Sequence, residues 1–496
     1  MRAAGPAQSN DRQAFVPFVG PIRDRPKLHV VIARDVAERI KADGWPVGRV
    51  LGSEGALARY YGVSTSVMRE AGRLLEHQRI VSMTRGPAGG LTIREPSADA
   101  VAHAIAIVFD FSGVSLGELL QMKALLEAWS ARATAQRITP QGLSRLDQAV
   151  EMGESTEGES PLAHRRDGLH AVVAQESGNP VAVMLHAAVT SVVVRYSPAA
   201  LRQDASPGDT VVTVRRAHSR ILDAIKAGDP DRAERRMNKH VEAMSQWLLA
   251  SHGERMVWTD VDVKKAAALG ASNRAKLAEI VAERLRDEIL LNGWDVGMWL
   301  GTEPALLARY GVSRSVLREA IRLLEHHSVV AYRPGTSGGL VVDRPNGDAI
   351  VDAALSYLSF HSVQLADLDE MRALFEVHGV RLAASRSSVV TSVLARHLGV
   401  PDTGDDAQPC ESRLHVTLGE VSGNRALALI VELLMQLRST LSGEQVARDP
   451  AVNSSTVAHA LVVEAVLAGK GDDAAALMTA HLRRNAAAAT LDDHDN

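Results

Sequence analysis

Between positions 310 and 327 the apolar residues fall at a helical spacing. Val316, Ala320, Leu323 and Leu324 follow the i, i+4, i+7, i+8 pattern of a buried stripe. Arg314, Arg318 and Arg322 repeat every four residues and line a different face, and Ser313 is placed to cap the helix N-terminus. The stretch YGVSRSVLREAIRLLEHH, Tyr310–His327, thus predicts a short amphipathic helix behind a Gly-Val-Ser turn. It appears a second time as YGVSTSVMREAGRLLEH, Tyr61–His77. A helix with cations at its start can lie in a DNA major groove, where arginine reads guanine O6/N7 bidentately. Taken alone, an arginine stripe is more often a solvated surface face, so the repetition matters.

The repetition extends along the chain. Leu51-Gly-Ser-Glu-Gly-Ala-Leu aligns with Leu300-Gly-Thr-Glu-Pro-Ala-Leu, and the same spacing carries Trp45 onto Trp294, Arg69 onto Arg318 and Gly90-Leu91 onto Gly339-Leu340. Further on, His170 pairs with His415, and His218 and His240 pair with His459 and His481, at a spacing that shrinks in two steps. Two copies of so long a unit make a tandem domain pair, and a solenoid is unexpected. In each copy a first helix (30–42; 275–291) ends at a Gly-Trp turn. A second helix follows, opened by Ser53 or Thr302 with Glu54 or Glu303 in its first turn, then the arginine helix. Two short β segments (80–84 and 91–94; 329–333 and 340–343) flank a Gly-rich tip, completing a winged helix-turn-helix in which Arg85 or Arg333 stands beside the tip. There a Gly-rich backbone, Gly90 and Gly339 included, lets N–H groups approach phosphates.

Beyond Pro96 and Pro345 the chain is Ala- and Leu-rich with almost no strand signals, reading as a helical bundle in each copy, with strongly periodic helices over 116–137 and 365–386. Thr139-Pro140 is a helix start, and 399–409 reads as a loose acidic loop. The predicted fold is mainly α: leader 1–26, winged helix 27–95, bundle 96–250, linker 251–272, winged helix 273–344, bundle 345–490 and tail 491–496.

Composition narrows the function classes. The chain has 496 residues, room for two to four domains, and no apolar run long enough to span a bilayer. A net charge of −4 excludes a uniformly basic nucleic-acid coat but allows a local patch. Cys410 is the only cysteine, which excludes a disulfide framework or a Cys-based zinc site and suits a reducing cytoplasm. The histidines are the other chemistry-bearing set. In copy two Glu411 and His415 lie at i, i+4 on one helix face, and with His459 and His481 from later helices they make a ligand set suited to Zn²⁺, Ni²⁺ or Mn²⁺.

LGTEPALLARYGVSRSVLREAIRLLEHHSVVAYRPGTSGGL closely resembles the DNA-binding domain of GntR-family bacterial transcription regulators, and the helical regions resemble the effector domain of the FadR-like (FCD) subfamily. The resemblance covers nearly the whole chain outside leader and linker. It implies that Arg314 and Arg318 meet operator bases, with Ser315, Arg322 and the copy-one residues Thr65, Ser66, Arg69 and Arg73 on the same faces. Copy one has Thr65 where copy two has Arg314, and Gly72 where copy two has Ile321, so it is expected to be the weaker or altered reader. The FCD pattern has an aspartate four residues before the first histidine; copy two has Glu411 there, while copy one has Arg166, with Asp167 out of phase. A cation beside His170, His218 and His240 disfavours a metal in copy one and would suit an anionic ligand held directly. Arg372, and Lys123 in copy one, match an arginine near the FCD ligand pocket; the alternative for Arg372 is an i, i+4 pair with Glu376. The expectation is a ligand-responsive repressor in the bacterial cytoplasm, at the nucleoid. It would bind double-stranded operator DNA as a single-chain pseudo-dimer or a homodimer and answer to a small carboxylate or acyl-type effector. A metal-dependent hydrolase and an effector-independent architectural protein are the competing classes.

Overall fold

The computed structural model describes residues 28–84, 89–155, 168–194, 204, 206–252, 274–333, 338–345, 347–386, 394, 410–442 and 452–492. Copy one runs α1 (Leu28–Ala42), β1 (Val50–Gly52), α2 (Glu54–Tyr61), α3 (Thr65–His77), β2 (Val81–Thr84), β3 (Gly90–Ile93), α4 (Ala98–Phe111), α5 (Leu116–Arg137), α6 (Pro140–Ser155), α7 (Leu169–Glu176), α8 (Pro180–Val193), α9 (Pro207–Lys226) and α10 (Pro230–His252). Copy two runs α11 (Arg274–Leu291), β4 (Trp299–Gly301), α12 (Glu303–Tyr310), α13 (Arg314–His326), β5 (Val330–Arg333), β6 (Gly339–Val342), α14 (Gly347–Phe360), α15 (Leu365–Ala384), α16 (Cys410–Val421), α17 (Arg425–Leu441), α18 (Val452–Leu467) and α19 (Gly471–Asp492).

Local chemistry accounts for the winged helices. Ser64 and Ser313 accept the backbone N–H of Val67 and Val316 and so start α3 and α13; Ser53 and Thr302 do the same for α2 and α12. Gly62 and Gly311 end α2 and α12 in the left-handed region at φ 64°, which a side chain would disfavour. The arginine-bearing helices bury Met68, Ala71 and Leu75 in one reader and Val316, Leu317, Ala320 and Leu324 in the other. Each wing is a three-stranded antiparallel sheet of order β1-β3-β2 or β4-β6-β5. The third strand, β1 or β4, had no alternating pattern to announce it: it is three residues long and its register shifts midway.

Those edge strands correct one expectation. Gly90 and Gly339 do not face outward as backbone donors; they are buried in β3 and β6. A side chain at Gly90 would run into the Gly52 carbonyl, and one at Gly339 would come within 2.7 Å of the Gly301 carbonyl, so both glycines serve strand packing. Arg85 and the acidic loop at 399–409 lie outside the described residues, as does nearly all of the 251–272 linker.

The two bundles share one apolar cluster, to which Phe109, Leu119, Met184 and Leu185 come from copy one and Phe375, Leu427, Ile430 and Leu434 from copy two. The polar rim is reciprocal. Asn179 caps α8, and its Nδ2 donates to the Asp367 carbonyl (2.9 Å) and the Glu370 carboxylate (3.0 Å) of α15. Asn424 caps α17 and donates to the Glu118 carbonyl (3.2 Å) and Gln121 Oε1 (2.9 Å) of α5. Glu118 and Gln121 are the aligned counterparts of Asp367 and Glu370. The same contact is therefore made twice with the copies exchanged, as across a two-fold axis.

The helices behind the wings are crossed. Trp45 of reader one meets Phe360 of α14 edge to face at 5.7 Å, and Arg34 pairs with Asp352 of α14. Trp294 of reader two meets Phe111 of α4 at 5.5 Å, and Arg286 pairs with Asp110 of α4 at 3.4 Å. Each reader thus rests on the helix that follows the other reader's wing. The two seatings differ: the Arg34 pair is partly exposed, whereas Arg286 and Asp110 are 2% and 0% exposed.

Candidate DNA-reading faces and histidine pockets

The cap at Ser313 sets the phase of α13 so that its apolar stripe enters the core and Arg314, Arg318 and Arg322 stay outside. The Arg314 side chain is 66% exposed. In the free protein these guanidiniums are parked: Arg314 and Arg318 both pair with Glu303, at 3.0 and 3.2 Å, and Arg322 pairs with Glu319. Ser315 lies against Ser313 at 3.0 Å. In copy one Thr65, Ser66, Arg69 and Arg73 are exposed along α3, and Arg69 alone pairs with Glu54, at 3.0 Å. Exposed pairs of this kind contribute at most ~1 kcal/mol, so exchange for a phosphate or a base edge costs little. Arg333 is exposed at the end of β5, on the same reader as α13.

The histidines converge as their spacing suggested. His170 Nε2 lies 3.2 Å from His218 Nε2 and 3.1 Å from His240 Nε2, and the last two are 3.2 Å apart. In copy two His481 Nε2 lies 3.1 Å from His459 Nε2 and 3.2 Å from His415 Nε2. Three nitrogens at about 2.05 Å from one tetrahedral ion would be about 3.3 Å apart. Both triads fit that edge, so the residues present suit a divalent cation in either copy.

Protonation agrees. Burial, helped by the charge of His170, holds His240 down at about 3, and burial with the charge of His415 holds His481 at about 4. His218 is pushed well below its ordinary value by the same causes. These imidazoles are therefore neutral near pH 7, the form that ligates a metal.

Two carboxylates that sequence reasoning missed as members of the site organise it. Glu376 on α15 accepts from His415 Nδ1, and Glu127 on α5 accepts from His170 Nδ1 at 2.8 Å, which fixes the tautomer and turns each Nε2 inward. Burial opposes ionisation of both, but the groups beside them prevail: Arg372 and the His415 hydrogen bond bring Glu376 to about 2, and His170 with Lys123 holds Glu127 well below the usual range. The signal was available: a glutamate at the same place in both copies, one helical turn past Lys123 or Arg372, amid apolar neighbours. Arg372 is buried and paired with Glu376 at 2.8 Å and Asp369 at 3.3 Å; Lys123 pairs with Glu127. Both therefore touch the histidine cluster through a carboxylate. His186 on α8, 3.1 Å from Glu127, joins the copy-one cluster. Arg166 and the Glu411 side chain lie outside the described residues.

Two winged helix-turn-helix domains, each joined to an all-α domain that gathers three histidines, define a ligand-responsive DNA-binding regulator. Comparison with known proteins names the family. The FCD domain profile matches residues 118–243 and again 367–484, and the profile of bacterial regulatory proteins of the gntR family matches residues 277–339. The chain belongs to the GntR family of transcription regulators, FCD subfamily, with its FCD domain present twice. The gntR profile matches reader two; reader one shows its kinship through the duplication and the fold.

Among curated relatives, the HTH-type transcriptional repressor NanR of Enterobacter sp. (strain 638) is 26% identical over 238 residues, 47% of this chain and 89% of that protein. NanR of Salmonella typhimurium is 25% identical over 227 residues, 45% of this chain and 84% of its own length. Among solved structures, Streptococcus agalactiae GntR covers 44% of this chain and 100% of its own at 22% identity, with a TM-score of 0.33.

Proposed function

We propose that one polypeptide does the work of a homodimer: a single-chain pseudo-dimer reads an imperfect palindrome in double-stranded operator DNA with its two covalently joined readers. The observation that carries this reading is the reciprocal seating of Asn179 on α15 and Asn424 on α5, an isologous interface closed within one chain. The half-sites are read unequally. Reader two presents Arg314 and Arg318; reader one presents Thr65 and Arg69, so it has one fewer guanidinium for base contact. Arg322, Ser315, Ser66, Arg73, Arg333 and Arg85 complete the DNA-facing set.

Regulation runs through the helical domains. Each triad, His415, His459 and His481 or His170, His218 and His240, holds a divalent cation; three imidazoles favour Zn²⁺ or Ni²⁺ over Mn²⁺, which prefers oxygen donors. A small carboxylate or acyl-type effector binds beside it. Occupancy alters the bundle and shifts the readers seated on α4 and α14, a coupling typically worth ~1–3 kcal/mol. The resemblance to NanR supports repression, and the chain acts in the bacterial cytoplasm without catalysing a reaction of its own.

Genome-wide mapping of bound DNA in the native host, followed by base-resolved footprinting of the recovered site, tests this. The expected result is protection of two adjacent half-sites, with Arg318→Ala exposing one and Arg69→Ala the other. Equal footprints with neither variant altering its half-site would contradict the reading.

A further inference from the structure

The two histidine pockets share a plan but not a setting. In copy two all three imidazoles are buried and the His415 side chain is 0% exposed. A continuous run of charges braces it across three helices: His415 on α16 to Glu376 on α15, Glu376 to Arg372, Arg372 to Asp369, and Asp369 to Arg438 on α17 at 2.8 Å. Asn485 on α19 stands 3.3 Å from His481 Nε2. The aligned copy-one positions for Asp369, Arg438 and Asn485 are Leu120, Val193 and Met244, which carry no charge. There Glu127 is backed by the flexible stem of Lys123 and by His186, whose copy-two counterpart is Val431. The His170 side chain is 23% exposed, and His218 is also partly exposed.

An ion in the copy-two pocket meets solvent only when packed helices open, and sub-global openings cost anything up to the full stability of the fold. In the copy-one pocket two of the three imidazoles, His170 and His218, already reach the solvent. We infer that the pockets divide the work: copy two keeps its cation as a fixed structural staple, while copy one holds an exchangeable cation and admits a small anionic ligand to it. This rests on the reading that both triads bind a divalent cation. It departs from the expectation that Arg166 disfavours a metal in copy one, and it keeps the expectation that copy one admits an anionic ligand.

The test uses the full chain loaded with Co²⁺, with EDTA as competitor and acetate as the anionic probe. Two ions per chain are expected, leaving in two phases at least about tenfold apart, equivalent to ~1.4 kcal/mol of barrier. His218→Gln abolishes the fast phase together with the acetate-induced change in visible Co²⁺ absorption; His459→Gln abolishes the slow phase and keeps the acetate response. Each variant retains the other pocket, whose Co²⁺ uptake reports that the chain is folded. Lys123→Met, which leaves all the imidazoles in place, accelerates only the fast phase. Two ions leaving in a single phase, or a fast phase and acetate response that vanish in His459→Gln, overturn the division alone. A folded chain that takes up no Co²⁺ overturns the cation reading and the division with it.

Discussion

Removing one member of the Asp110–Arg286 pair should detach reader two from α4. The pair joins the helix behind the first wing to the first helix of the second reader, at 3.4 Å and with almost no solvent access. Two unit charges at that distance attract by about 5 kcal/mol at an effective dielectric of about 20, and desolvation cancels much of this. Removing one partner leaves the other charge buried, so Arg286→Leu or Asp110→Leu should each cost about 3–5 kcal/mol. The double variant Asp110→Leu/Arg286→Met should recover most of that loss, because apolar side chains of similar volume then replace both members of the pair. Arg34→Ala, at the partly exposed equivalent pair in reader one, serves as the control and should cost no more than ~1 kcal/mol. Hydrogen exchange read over Ala98–Phe111 and Arg274–Leu291 is the assay, since a chain of several domains need not unfold in one step. Single variants indistinguishable from Arg34→Ala, or a double variant as damaged as the singles, would refute the claim that the buried pair seats reader two.

Other consequences are simpler to check. Gly72→Ala should stabilise reader one by up to ~1 kcal/mol, because the atoms nearest a Cβ there are Leu91 side-chain carbons, at 3.4 Å or more; a lower melting temperature would contradict this. Thr65→Arg should strengthen binding to an operator built from two copies of reader two's half-site, by ~1–3 kcal/mol if the arginine gains a bidentate guanine contact, as measured by titration at fixed salt. In chelated protein the melting temperature should fall as pH drops from about 6.5 toward 4. His240 and His481 are held at about 3 and about 4 in the fold but titrate near 6.5 when unfolded, so the unfolded chain takes up more protons over that window and stability is retained only above it. A flat profile would show that these imidazoles are not buried and neutral. Glu376→Gln should weaken copy-two metal affinity by roughly 10–100-fold, read by competition with a chromogenic chelator, because His415 loses the carboxylate that turns its Nε2 inward.

Elements carried by short-range rules could be read from the chain. Ser64 and Ser313 cap where the arginine stripe begins, the stripe itself is periodic, and the paired histidine spacings brought all six imidazoles into two clusters. What escaped notice depends on long-range approach. Strand β1 is too short to alternate, and Gly90 was misread because the strand that needs its missing side chain was not foreseen. Glu376 reads as no more than the i, i+4 partner of Arg372, and Glu127 as its copy-one counterpart, until α16 or α7 brings an imidazole to them. Asp110 sits in the apolar run AVAHAIAIVFDF, and its pairing with Arg286 becomes visible only when α4 crosses onto α11.

The central claim is that one chain spans one operator, and the most direct measurement is the mass of the complex on a single-operator fragment, by sedimentation equilibrium at several protein concentrations. One chain per fragment at saturation, with no further increase as protein is raised, is the result expected of a covalent pseudo-dimer. Cooperative uptake of two chains per fragment, with no single-chain complex at any concentration, would contradict it.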